Sequence, residues 1–262
     1  MKFDFQLCNE WEKSKHPRDA IAEPKFDGMM CLVEDGIFFN RRKRATFQFP
    51  EVRVAEKMVL VGEVVVLKDG LSQFYLLQRR NVDNPKEIRL RSIMYPATLM
   101  VFDLLELDGQ DLTGQPLSTR RGMLEELDRR KALGENVQTA GYWGCPLDKV
   151  EGYLDMMRHH EAEGIIVKDL KATYKPTRND GWLKLKAWEQ ADYDILSHEF
   201  TEAGGFVVWI ANKGCKQKVA VNRTDLQDSI AKGMTKMLTI RYLDEEESGA
   251  LRQPHVRGVP WK

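Results

Sequence analysis

The 262-residue sequence has no surplus of either charge, with 40 Lys and Arg against 40 Asp and Glu. Composition therefore does not announce a polyanionic partner, although a local stripe of cations can grip phosphates under a neutral total. Cysteine is scarce as well. Cys8, Cys31, Cys145 and Cys215 stand far apart with no C-x-x-C pair, which argues against a disulfide frame or a zinc site and fits reduced thiols. No apolar run approaches the length of a bilayer crossing, and "MKFDFQLCNEWEK" has acids too early for a signal peptide. The expected location is cytoplasmic, with no membrane partner. Internal repeats and low-complexity linkers are also missing, so any hinge between domains must be short.

What is present is the composition of an ordinary globular protein, long enough for a large domain with a small one. "LVEDGIFFN" and "MVLVGEVVVLKDG" read as strands rich in Val, Ile and Phe that close on Asp-Gly turns. "ATLMVFDLLELDGQDL" suits a buried strand followed by a turn. "STRRGMLEELDRRKAL" reads as an amphipathic helix with Ser118 or Thr119 as N-cap. A second helix, "PLDKVEGYLDMMRHHEAE", precedes the strand "GIIVKD", and "GWLKLKAW" alternates outward lysines with inward apolar residues. After Trp188 the texture changes to short, evenly spaced strands with one helical piece, "TDLQDSIAKG". This pattern predicts a small five-stranded barrel of the OB type. The expectation is an α+β protein with domains at 1–188 and 189–262.

One stretch carries a chemical question. "EPKFDGMM", Glu23 to Met30, sets a lysine two residues ahead of an aspartate and a glycine, straight after a proline. A lysine beside a carboxylate at a strand end can lose its proton and act as a nucleophile. Taken alone, K-x-D-G is better read as a surface Lys-Asp pair entering a turn. Four further segments follow in order: "FFNRRKR", "VGEVVVL", "VFDLLELDG", and "EGIIVK" with "WLKLK" behind it.

In that order the sequence resembles the covalent nucleotidyltransferases, most closely the small ATP-dependent DNA ligases, over nearly its whole length. "FPEV", "FYLLQRR" and "PLSTRRGMLEEL" extend the likeness outside the motifs. The resemblance implies an adenylation domain of antiparallel sheets and flanking helices, followed by an OB-fold barrel. It implies ATP as cofactor with Mg²⁺, nicked double-stranded DNA as substrate, and a monomer. The segment ahead of Glu23 is too short for the extra DNA-encircling or nicotinamide-recognising domains of larger ligases.

Residue by residue, Lys25 would attack the α-phosphate of ATP and carry AMP, which requires a neutral amine. Lys184 and Lys186 would supply cationic field and grip the phosphate, though both also suit the solvated face of an edge strand. Asp27 would contact metal and nick, and Glu163 would position metal. Glu63 would hold the ribose hydroxyls; a glutamate inside a Val-rich strand in any case wants a partner. Phe102 would stack on adenine, while periodicity alone reads it as core. Glu23 would help read the adenine amino group, Lys168 would touch a phosphate, and Arg41 would read the nick 5′-phosphate as a bidentate donor. Arg42, Arg44 and Arg178 are further phosphate contacts. Two departures stand out: Met30 occupies the position where the family writes arginine in K-x-D-G-x-R, with Arg42 or Arg44 as candidate replacements. The last motif, within "LRQPHVRGVPWK", is not spelled in the usual way, leaving Arg252 and Arg257 as carriers and Lys262 as a possible stand-in. An RNA ligase or a GTP-using capping enzyme shares the same lysine chemistry. A non-catalytic nucleic-acid-binding protein with a decayed transferase domain is the reading from a different class.

Overall fold

The computed structural model describes residues 2–160 and 162–260, the side chains of Tyr75 and Asp244 excepted. Three Asp-Gly pairs turn the chain where the sequence expects it. Asp35-Gly36, Asp69-Gly70 and Asp108-Gly109 all take positive φ, the backbone that matches the twist of a tight hairpin. The strands that position the site are β1 (Leu7–Glu10), β2 (Ala20–Pro24), β3 (Met29–Glu34), β4 (Ile37–Asn40), β5 (Met58–Lys68), β6 (Ala97–Leu107), β7 (Gly164–Asp169) and β8 (Arg178–Lys186).

They form two sheets. In the larger, β6, β5, β3 and β4 lie side by side, flanked by short strands at 110–111 and 45–46. In the smaller the order is β1, β8, β7, β2 and the short strand Trp143–Gly144, with β1 parallel to β8. The central strand β5 is apolar on both faces, and its alternation divides the core in two. Leu60, Val64 and Val66 belong to one cluster, with Leu77 and Leu124 from helices on the outer face. Val59 and Val61 belong to another, with Phe5, Leu105, Tyr174 and Trp182. Glu63 shares the parity of Val59 and Val61, so the strand aims its one carboxylate at the second cluster.

Strand β6 carries a break that periodicity alone does not reveal. Its pairing with β5 shifts at two points, leaving Phe102 and Leu105 as extra residues between paired neighbours. Such bulges re-aim side chains. Ala97, Leu99 and Val101 face the outer cluster, and Phe102 and Leu105 are turned to the other.

The helices are α1 (Phe74–Gln78), α2 (Pro85–Met94), α3 (Leu117–Arg129), α4 (Val150–His159) and α5 (Thr224–Ala231). Helix α3 corrects one expectation: its N-cap is Pro116, and Ser118 and Thr119 lie in its first turn. No side-chain cap is needed there, because the amides of Leu117 and Ser118 donate to the carbonyls of Ala172 and Leu170, each at 2.9 Å.

By compactness the chain divides into Met1–Leu185 and Lys186–Lys262, so the division falls three residues ahead of the expected one, at the end of β8. The second unit has its own core of Tyr193, Phe206, Val208, Ile210, Val219, Leu226, Ile230, Leu238 and Ile240. Its strands make two three-stranded antiparallel sheets, Glu189–Asp194 with Met237–Tyr242 and His255–Gly258, and Ser197–Phe200 with Phe206–Asn212 and Cys215–Ala220, and a two-stranded one, Asp244–Glu245 with Leu251–Arg252. Among the described residues these sheets do not close into a barrel. The architecture is a sheet-rich α+β fold. No helix among the described residues is long and apolar enough to cross a membrane.

Candidate active site

The site grows from the end of β2. Its pairing with β7 places Glu23 opposite Ile166 and Pro24 opposite Ile165, and the Lys25 amide donates to Gly164 O at 2.8 Å. The chain then leaves for β3 across Asp27 and Gly28. Glycine is required there: a Cβ on residue 28 would lie 2.3 Å from Val64 O and 2.8 Å from Glu63 Cγ. That close approach brings the Lys25 strand end against the strand bearing Glu63.

Lys25 Nζ lies 2.5 Å from Glu163 Oε2, the residue immediately before β7. Glu163 is almost wholly buried and Lys25 is half-buried. Glu63 sits in the field of the same groups. Burial pushes its carboxyl up to about 8; Lys25 and Arg41 oppose the rise, while Glu163 and Asp27 add to it. The Asp27 amide donates to Ser72 Oγ at 3.0 Å. Lys25, Glu163, Asp27 and Glu63 thus lie within one another's field.

A second cluster lies one alternation back along β2. Glu23, 2% exposed, accepts from Arg121 Nη1 at 2.6 Å on one oxygen and lies 2.7 Å from Lys168 Nζ on the other. Lys168 is also buried, and its amine donates to Phe102 O at 3.3 Å, a carbonyl at the bulge of β6. The amine stands 4.4 Å from the centre of the Phe102 ring and 4.5 Å from that of Trp182, whose rings meet edge to face. Burial pulls the Lys168 pKa down, with Glu23 and Asp103 opposing. The structure places Lys168 against Glu23 and the aromatic pair.

The remaining cations are distributed differently. Lys184, on β8, pairs with Glu10 at 2.8 Å. Lys168, Lys25 and Lys184 all act on the thiol of Cys8, opposing the upward shift that burial gives it. Arg178 donates to Cys8 O. Arg41, Arg42 and Arg44 are exposed in the turn after β4, where Asn40 Oδ1 accepts from the amides of Arg42 and Arg44 at 2.9 and 3.2 Å. Lys186 falls in the second unit, donating to Gln253 Oε1 at 2.8 Å and lying over the Trp188 ring. Arg252 and Arg257 also belong to that unit, on Leu251–Arg252 and His255–Gly258; Lys262 lies outside the described residues.

Sequence reasoning missed Arg121, and a signal for it existed. The buried stripe of α3 is Leu117, Arg120, Arg121 and Leu124, so two arginines occupy positions that helical spacing reserves for apolar residues. Arg120 makes a two-pronged pair with Asp103 beneath the Phe102 bulge, at 2.7 and 2.8 Å.

Among the described residues no group of three or more His, Cys, Asp or Glu side chains is disposed to hold a metal by itself. The oxygen donors of Asp27 and Glu163 nevertheless suit Mg²⁺, which commonly takes one or two carboxylates and completes its shell with water and substrate phosphates.

Residues 6–186 match the model of the ATP dependent DNA ligase domain. A DNA ligase of Thermococcus fumicolans is 28% identical over 267 residues, covering 91% of this chain and 46% of its own length. The chain spans about a third to a little over half of the length of the curated relatives it matches. Among solved structures, a Lig E DNA ligase, studied for DNA binding with a minimal scaffold, superposes with TM-score 0.75 at 15% identity. That match covers 99% of this chain and 100% of the other. The ATP-dependent DNA ligase of bacteriophage T7 in complex with ATP gives TM-score 0.55 at 16% identity, covering 99% of both chains.

Proposed function

Since the chain belongs to the family of ATP-dependent DNA ligase domains, we propose that it seals breaks between a 5′-phosphate and a 3′-hydroxyl in duplex DNA through an adenylate on Lys25. The observation that carries this reading is the Lys25 amine held 2.5 Å from Glu163 on the face that Glu63 and Asp27 also address. Lys25 Nζ attacks the α-phosphorus of ATP, a P–N bond forms, and the P–O bond to pyrophosphate breaks. Glu163 Oε2 is placed to take the proton that the amine sheds. AMP then passes to the 5′-phosphate of the nick, and attack by the 3′-hydroxyl joins the strands and releases it.

Glu63 binds the ribose hydroxyls, Phe102 offers a face to adenine, and Glu23 accepts from the adenine amino group. Asp27 and Glu163 would hold Mg²⁺, which neutralises charge on a crowded triphosphate when bound. Lys184 and Lys186 serve the α-phosphate. Arg41, Arg42, Arg44 and Arg178 track DNA phosphates without reading sequence. The second unit acts as an OB-type module carrying Arg252 and Arg257 of the last motif. The protein works as a cytoplasmic monomer, at a nucleoid or a viral replication site.

The test is a denaturing gel after incubation with α-phosphate-labelled ATP, followed by a chase with nicked duplex. Wild-type protein is expected to retain label and Lys25→Ala to retain none. Equal labelling of both would end the proposal. Parallel arms with labelled GTP and with nicked RNA separate the reading from a capping enzyme or an RNA ligase.

A further inference from the structure

Arg121 lies outside every motif that carries the proposed reaction, yet its guanidinium is among the most completely engaged groups in the first unit. It is 3% exposed. It donates to Glu23 Oε1 at 2.6 Å, to the carbonyl of Ala140, and to Glu125 Oε1 at 3.4 Å. Its flat face lies 4.6 Å from the centre of the Tyr142 ring, which is partly open to solvent. One arginine thus ties helix α3 to β2, the strand that leads into Lys25.

Glu23 has a charged partner on each oxygen, Arg121 on Oε1 and Lys168 on Oε2. A carboxylate offers about four lone-pair sites and no donor. Two of them are taken by these cations, so what remains can only accept. The Lys25 amide continues the ladder of Glu23 and Pro24 by donating to Gly164 O at 2.8 Å, two residues on from Glu23, and the charges of Glu23 and Lys25 both act on the Cys8 thiol, which puts this acceptor near the nucleophile. An acceptor-only group welcomes the exocyclic amino group of a 6-aminopurine and repels the carbonyl of a 6-oxopurine. A buried polar site of this kind discriminates far more strongly than an apolar one of the same shape.

Resting on the proposed nucleotidyl transfer, we infer that Arg121 is a positioning residue that sets the choice of purine: it locks Glu23 as a pure acceptor and thereby favours ATP over GTP. With Arg121 gone, Glu23 keeps only its Lys168 partner and is free to turn its other oxygen away from the amino group, and the preference relaxes.

The experiment measures Lys25 labelling from ATP and from GTP over a range of concentrations in wild type, Arg121→Met and Arg121→Lys. For Arg121→Met the ratio of kcat/KM for ATP to that for GTP is expected to fall about tenfold or more, mainly through KM for ATP, with kcat changed much less. Arg121→Lys keeps the charge but not the fork, and is expected to lie between the two. It also serves if the methionine variant does not fold. A loss that is equal for both nucleotides, with the ratio unchanged in the folded variants, would overturn the inference and leave the adenylate reading intact. A wild-type protein that takes no label from either nucleotide would instead remove the reading on which the inference rests.

Discussion

The two compact units solve the problem of charge in opposite ways. In the first, Glu23, Arg80, Asp103, Arg120, Arg121, Glu163 and Lys168 are all buried. They are engaged in short ion pairs such as Arg120–Asp103, Arg121–Glu23 and Lys168–Glu23. In the second, Thr239 is the only polar residue among the described ones that is buried, and pairs such as Lys218–Glu199 and Arg223–Asp225 lie at the surface. Burying charge costs stability unless each group is matched, and in the first unit the buried charges are matched, Arg80 with Glu51, Arg120 with Asp103, and Glu23 with Arg121 and Lys168. The second unit keeps an apolar core and leaves its ion pairs at the surface.

The sharpest way to break this contrast is to remove one member of a pair in each unit. Arg120→Met leaves Asp103 buried without its partner and is expected to cost about 3–5 kcal/mol in denaturant unfolding. A cost below about 1 kcal/mol would mean that the pair is not structural. Gly28→Ala tests close approach in place of charge. Its Cβ would meet Val64 O at 2.3 Å. A lowered melting temperature corresponding to about 1–3 kcal/mol is expected, and an unchanged one would contradict the strand contact that places Lys25 beside Glu63.

Glu63→Gln sharpens the comparison through pH. The folded-state value of Glu63 is raised to about 8 from an ordinary 4.5, so the folded state holds a proton that the unfolded chain releases. Stability linked to this group is therefore lost as pH rises from about 4.5 to 8, and is constant outside that window. Melting without nucleotide or metal should show wild type falling relative to Glu63→Gln across the window; parallel curves would refute the shift. At the small end, Arg223→Ala removes a surface pair of the second unit and should leave the melting temperature unchanged. A cost like that of Arg120→Met would erase the distinction between the units.

How much of this was legible in the sequence follows from which forces act locally. The Asp-Gly turns were legible because positive φ is a property of the residues themselves, and "GIIVKD" is β7 residue for residue. The cap of α3 was not, since carbonyls from residues 170 and 172 replace a side chain. Nor was the bulge at Phe102, which comes from mismatch with β5 and not from composition. The strand His255–Gly258 lay hidden in a stretch read only for a motif. Helix α2 was not read from the sequence, although Asn84-Pro85 carries a cap signal and the Asn84 side chain accepts from the Lys86 amide at 2.9 Å. Of the site, the engagement of Lys168 and Arg121 with Glu23 was not legible, because it depends on distant elements meeting in the core.

The central claim is that one amine carries the nucleotide. Mass spectrometry of the protein after incubation with ATP and Mg²⁺, digested and sequenced by fragmentation, tests it most directly. The account predicts an AMP-bearing peptide with the modification on Lys25, lost again when nicked duplex is added. AMP found on another residue, or an unmodified Lys25 peptide in protein that still joins nicks, would contradict it.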